Sequence, residues 1–81
     1  MKLKIRLVQC DDWQALYLTN KPAAEGHHIY ANQLIRCINA LINYYKEPIE
    51  ELDYGEYWVT DEYAENGFPE YLSQIPDDVF F

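Results

Sequence analysis

Eighty-one residues make one domain and exclude a second. Six Lys and Arg against 14 Asp and Glu leave a net charge of −8, which disfavours direct binding to a nucleic-acid backbone, because that affinity comes mainly from basic side chains. The charge is split along the chain: residues 1–46 hold all six basic residues and three acids, a balance of +3, and residues 47–81 hold eleven acids and no base, a balance of −11.

Lys2 to Val8 predicts a half-buried strand, because Leu3, Ile5 and Leu7 alternate with Lys2, Lys4 and Arg6. The opening MKLKIRLVQC has no uninterrupted apolar run, so it reads as neither a signal peptide nor a membrane span, and the expected location is cytoplasmic. Gln9-Cys10-Asp11-Asp12 reads as a turn. Trp13 to Thr19 predicts a second strand, antiparallel to the first. Its two faces, Trp13, Ala15, Tyr17 and Gln14, Leu16, Leu18, are both rich in apolar area, so alternation does not select the buried one. A single helical layer would leave the other face open to a partner. Asn20-Lys21-Pro22 reads as a turn and Ala23 to His28 as a short third strand. Pro22 suits its start or an edge, and Gly26 suggests a bulge or a close backbone approach.

Ala31 to Lys46 predicts the main helix. Leu34, Ile35, Ile38, Leu41, Ile42 and Tyr45 recur at helical spacing, Lys46 suits the negative end of the dipole, and Pro48 follows it. Asp53 to Thr60 predicts a fourth strand, weakened by Gly55. Thr60 suits the cap of a short helix over Asp61 to Asn66, with Gly67 as a left-handed stop. Pro69 would open a second short helix to Gln74, stopped by Pro76. Val79, Phe80 and Phe81 form an apolar tail expected to dock. The order β-β-β-α-β-α-α describes an α+β domain, a small antiparallel sheet with one main helix packed across it.

In the stretch WQALYLTNKPAAEGHHI, Trp13, Leu16, Tyr17, Lys21, Glu25, Gly26 and His27 follow a recognisable pattern. It resembles the opening of small uncharacterised bacterial and phage α+β proteins, where a Trp-x-x-Leu-Tyr strand leads through a Lys-containing turn to Glu-Gly-His and a helix. A Gly usual in that turn is absent, and Pro22 follows Lys21. The resemblance implies a fold and attaches no activity.

Glu25, His27 and His28 are the most metal-like group, but adjacent residues on a strand point to opposite faces and would not share an ion. No metal or other cofactor is expected. Cys10 and Cys37 fit no spaced motif and read as reduced thiols, Cys37 beside the helix core. Ser73 and Cys10 lack a local activating base, and there is no Gly-rich phosphate loop, nucleophile elbow or C-x-x-C, so the chain reads as a non-enzyme.

The acidic half interleaves its carboxylates with Tyr54, Tyr57, Trp58, Tyr63, Phe68, Tyr71, Phe80 and Phe81. Solvating tails have few aromatics, whereas Tyr and Trp carry binding energy at interfaces. The expected partner-binding residues are therefore Asp53, Tyr54, Glu56, Tyr57, Asp61, Glu62, Tyr63 and Glu65, facing a basic protein surface. The function read from this is a non-enzymatic protein-binding module. Its sharpest form is a phage or mobile-element inhibitor on the nucleic-acid-binding surface of a host protein.

The alternatives are a small-ligand or nucleotide-binding oligomer, with Lys2, Lys4, Arg6 and Lys21 holding phosphates, and a structural homodimer. No membrane partner is expected, because the polybasic anchor is missing. A homodimer is expected on three grounds. The helix has apolar residues outside its main stripe, since Cys37 and Tyr44 lie off the Leu34–Ile38–Leu41–Tyr45 line. The second strand is apolar on both faces, more than one small core readily covers. The oppositely charged halves would also meet across a two-fold axis.

Overall fold

The computed structural model describes residues 1–65 and 67–80. They form β1 (Lys2–Gln9), β2 (Gln14–Leu18), β3 (Lys21–Gly26), α1 (Ala31–Tyr45), β4 (Glu51–Trp58), α2 (Asp61–Ala64) and two 3₁₀ turns, Leu72–Gln74 and Asp77–Val79. This is an α+β arrangement with the element order expected, in a sheet ordered β3-β2-β1-β4.

The first three strands are antiparallel, but β4 runs parallel to β1, so the sheet is mixed rather than antiparallel. The cause is α1. It leaves the end of the sheet where β3 finishes and carries the chain back to the end where β1 starts. The next strand therefore runs in the direction of β1, in register from Lys2 opposite Glu51 to Gln9 opposite Trp58.

The turns sit differently from expectation. Gln9 is still in β1, bonded through its side chain to Gln14, so the first turn is Cys10 to Trp13. The second is Thr19-Asn20, with both residues at positive φ (55° and 87°), the geometry of a two-residue hairpin. Lys21 and Pro22 are thereby drawn into β3, an edge strand, where proline is tolerated. The bulge falls at Ala23, where the register with β2 slips, and not at Gly26, whose Cβ position meets nothing nearer than 4.0 Å.

Both faces of β2 are buried, each against a different part of the chain. Leu16 and Leu18 join Leu3 and Ile5 beneath Leu34, Cys37, Ile38 and Leu41 of α1. Ala15 and Tyr17 join Val8, Cys10, Val59 and Ile75 on the opposite face, under Tyr63, Phe68, Leu72, Val79 and Phe80. The C-terminal segment is thus a third layer. It covers the face that a single helical layer would have left to a partner. The Tyr17 hydroxyl fixes it by donating to the Pro69 carbonyl at 2.7 Å. Burial pushes this phenol up to about 12. Asn20 holds the other end, accepting Leu72 N–H on its carbonyl and Ser73 N–H on its side chain.

Pro69 opens no helix here. Its carbonyl is spent on Tyr17, and only Leu72–Gln74 is helical, as a 3₁₀ turn. Thr60 caps α2 as expected, its hydroxyl accepting Tyr63 N–H, and Gly67 takes φ 81°. Asn66, the expected end of that helix, and Phe81 lie outside the described residues. Phe80 makes an antiparallel bridge to Val59. Lys46 is not a helical residue but a left-handed cap, its N–H returning to the Ile42 carbonyl.

Candidate functional site

Parallel pairing sorts β4 by face. Glu51, Asp53, Gly55 and Tyr57 lie beside Lys2, Lys4, Arg6 and Val8 on the face away from α1, and Leu52, Tyr54, Glu56 and Trp58 lie on the face toward it.

On the first face the two halves of the charge pattern meet within one chain. Lys2 pairs with Glu51 at 3.5 Å, and Arg6 grips Asp53 with Nη2 to Oδ2 at 3.0 Å and Nη1 to Oδ1 at 3.3 Å. Arg6 also donates to the backbone carbonyls of Asp53 and Ile5. The contact holds the Asp53 carboxyl below its ordinary value and raises the guanidinium above its own. The Arg6 guanidinium lies 5.8 Å from the Tyr57 ring centroid. Gly55 makes room for that ring, since a Cβ there would stand 3.2 Å from Tyr57 Cε2 and 3.3 Å from Arg6 Cδ. The charge complementarity expected across a two-fold axis is thus made inside the chain.

Of the expected partner-binding residues, Asp53 is held by Arg6, and Tyr63 is half-buried in the third layer. The others are exposed. Tyr54 donates its hydroxyl to Glu56 at 2.9 Å, and its phenol is raised by burial and by that carboxylate. Glu56, Asp61, Glu62 and Glu65 have no cation at pairing distance among the described residues.

Two acids from the basic half join this group. The β1–β2 turn brings Asp11 and Asp12 to α2, where Asp61 accepts Asp11 N–H at 3.1 Å. Asp11, Asp12, Asp61 and Glu65 line one recess of about 480 Å³ with Trp13. The Asp61 carboxylate, by hydrogen bonding and like charge, raises the Asp11 carboxyl above its ordinary value. No local sequence signal marks this meeting, because the residues are fifty positions apart. Leu52 and Trp58 are further exposed residues on β4 outside the expected set.

The histidines take separate partners. His27 Nδ1–H donates to the Asp12 carbonyl, and the ring packs edge-on against Trp13, whereas His28 packs against Tyr30. Cys37 lies against the helix core as expected, and Cys10 is buried on the other face. No helix among the described residues is long and apolar enough to cross a membrane.

A larger groove of about 880 Å³ opens between the second half of α1 and the β2–β3 hairpin. Leu3, Leu18 and Leu41 lie at its base, and Lys2, Lys21, Tyr44, Tyr45 and Tyr71 also line it. Lys4 and Arg6 do not reach it, so the four basic residues expected to hold phosphates do not converge.

No family model matches the chain, and the searches of curated proteins and of solved structures return no match.

Proposed function

We propose that this protein is a non-enzymatic binding module whose acidic, aromatic surface docks on a basic protein surface. The observation that carries it is the uneven use of charge. Lys2 and Arg6 of the basic strand are engaged by Glu51 and Asp53, while Asp11, Asp12, Glu56, Asp61, Glu62 and Glu65 are left without cations among the described residues. Exposed Tyr54, Tyr57 and Trp58 lie on the same strand as Glu56. Such a surface attracts a basic partner over long range and anchors it by aromatic burial. Its sharpest form is an inhibitor, from a phage or mobile element, that sets carboxylates where a host protein expects phosphates.

The test is capture of host proteins by the wild-type chain and by an Asp61→Asn, Glu62→Gln, Glu65→Gln variant, in about 0.1 M and about 1 M salt. A partner lost both in the variant and at high salt is expected. Capture indifferent to both would refute the proposal.

The groove beneath Tyr44 and Tyr71 favours a second reading, a small-ligand binder. Its volume lies within the range of about 300–1,000 Å³ common to such sites. A thermal-shift screen with nucleotides separates the two, since a ligand at about 100 times its Kd adds about 2.7 kcal/mol.

A further inference from the structure

The two edges of the sheet are built differently. β3 is blunted by Pro22 and by the bulge at Ala23, devices that keep another strand from pairing. β4 has neither, and its eight residues pair with β1 in unbroken register. Val59 N–H bonds to the Gln9 carbonyl, so by alternation Glu51, Asp53, Gly55 and Tyr57 turn their backbone groups to β1. Those of Leu52, Tyr54 and Glu56 point outward, along an edge with no neighbouring strand among the described residues. The free stretch stops at Val59, which Phe80 bridges.

An apolar flank runs beside this edge. Leu52 and Tyr54, 52 % and 44 % exposed, lie on the face toward α1. α1 itself has no fully buried residue. Its Cys37 thiol reaches the Ala23 carbonyl on the β3 side, so by helical spacing Ile35 and Ile42 lie on the flank turned to β4. Ile35 is 57 % exposed and Ile42 half-buried.

The charges on β4 do not call for a basic strand. Glu51 pairs with Lys2, Asp53 pairs with Arg6, and Glu56 accepts the Tyr54 hydroxyl. A basic segment would therefore meet one carboxylate without a cation, Glu56, along the whole strand.

Antiparallel strands pair only where outward residue meets outward residue. A two-fold axis at Tyr54 meets this condition. It sets Tyr54 on Tyr54, Leu52 on Glu56, Asp53 on Gly55 and Glu51 on Tyr57 of a second copy. No acid stands directly opposite an acid, and Leu52 lies diagonal to Tyr54 of the second copy. The added strand, which starts at Glu51, also ends before it reaches Val59 and Phe80. An axis at Gly55 matches outward residues too, but it carries Glu51 of the second copy onto Val59, the position that Phe80 already bridges.

We propose that β4 is a dimer interface, in which two copies of this chain pair antiparallel about Tyr54 to form one eight-stranded sheet. Both α1 helices then lie on the same face, and Ile35, Ile42, Leu52 and Tyr54 of each copy close over the junction. A closed two-fold pair covers both free edges at once. The inference does not rest on the basic-surface reading. It takes Tyr54 and Glu56 into the junction and leaves Asp11, Asp12, Asp61, Glu62 and Glu65 open on each copy.

The axis sets Tyr54 against itself, which makes the register testable. Light scattering coupled to size exclusion is read on the whole chain up to about 1 mM, in about 0.1 M and about 1 M salt. The wild type is expected to be a dimer that holds or tightens at high salt, since both copies are acidic, whereas docking on a basic surface weakens there. Amide exchange at Leu52, Tyr54 and Glu56 should slow by about tenfold or more as protein concentration rises. Tyr54→Lys and Tyr54→Glu, each with the circular dichroism of the wild type, should be monomers alone and dimerise when mixed, because opposite charges then face across the axis. A wild-type monomer at every concentration would overturn the proposal and leave the edge to a different chain. A dimer whose three amides gain no protection would place the contact elsewhere and overturn it without any variant. Dimerisation of Tyr54→Lys alone, or a mixture that stays monomeric, would overturn the axis at Tyr54.

Discussion

Arg6 and Asp53 lie 47 residues apart and meet as a two-pronged ion pair across the parallel strands β1 and β4. The Asp53 carboxyl is held below its ordinary value by this contact. A carboxyl lowered in the folded state stabilises the fold at pH values above its unfolded range, and the contribution is lost as pH falls through the folded value. The wild-type chain is therefore expected to lose stability below about pH 4. Asp53→Asn should be less stable near neutrality and flatter through that acid range. Urea unfolding at several pH values checks this, and identical slopes for the two chains would contradict it.

Tyr17 ties the third layer to the sheet through the Pro69 carbonyl. Tyr17→Phe removes one buried hydrogen bond and keeps the ring, so a loss of about 0.5–1.5 kcal/mol is expected. Proteolysis should then begin within residues 67–76, because that segment loses its anchor. The phenol is raised to about 12 by burial. A raised value contributes stability that is full below about pH 10, the unfolded value, and lost as pH climbs through the folded one. Alkaline unfolding should accordingly be shallower in Tyr17→Phe.

Much of this architecture is legible in residue order. The alternation of Leu3, Ile5 and Leu7 with Lys2, Lys4 and Arg6 marks β1, and the spacing of Leu34, Ile38 and Leu41 marks the helix that covers it. The direction of β4 is not legible, because a period of two is the same for parallel and antiparallel strands. The third layer is equally hidden. Phe68, Leu72 and Ile75 repeat the helical spacing of Leu34, Ile38 and Leu41, yet between Pro69 and Pro76 only Leu72–Gln74 is helical, and what holds the segment is a tyrosine and an asparagine of the β2–β3 hairpin. Asp11 belongs to the acidic surface only because a turn delivers it to Asp61.

Thr19 and Asn20 share the left-handed region, but at different cost. A β-branched residue is strained there by about 1–2 kcal/mol, whereas Asn adopts it readily. Thr19→Gly is expected to stabilise the chain by about 0.5–1 kcal/mol, the relieved strain less the greater unfolded freedom of Gly. Asn20→Gly should do the opposite. It relieves little strain and removes the oxygen that accepts Ser73 N–H, a loss of about 1 kcal/mol. Thermal melts of the two variants decide it, and a gain in both would show that the Asn20 side chain holds nothing.

Gly55 and Tyr57 form a coupled pair on the face of β4 away from α1. An alanine in a strand ordinarily gains about 0.5–1 kcal/mol over glycine. At position 55 the added Cβ would press on the Tyr57 ring at 3.2 Å and on Arg6 Cδ at 3.3 Å. The ring must then slide from its place beside the Arg6 guanidinium and Phe80, where the ring centroids are 5.5 Å apart. Gly55→Ala is therefore expected to lower stability in the native background and to raise it by about 0.5–1 kcal/mol when Tyr57→Ala has already removed the ring. A double-mutant cycle measures the difference, with a coupling of at least about 0.5 kcal/mol expected for residues in contact. Equal effects in the two backgrounds would mean that the ring does not rest on Gly55. The glycine would then have to be explained by the backbone alone, although its φ is not in the left-handed region.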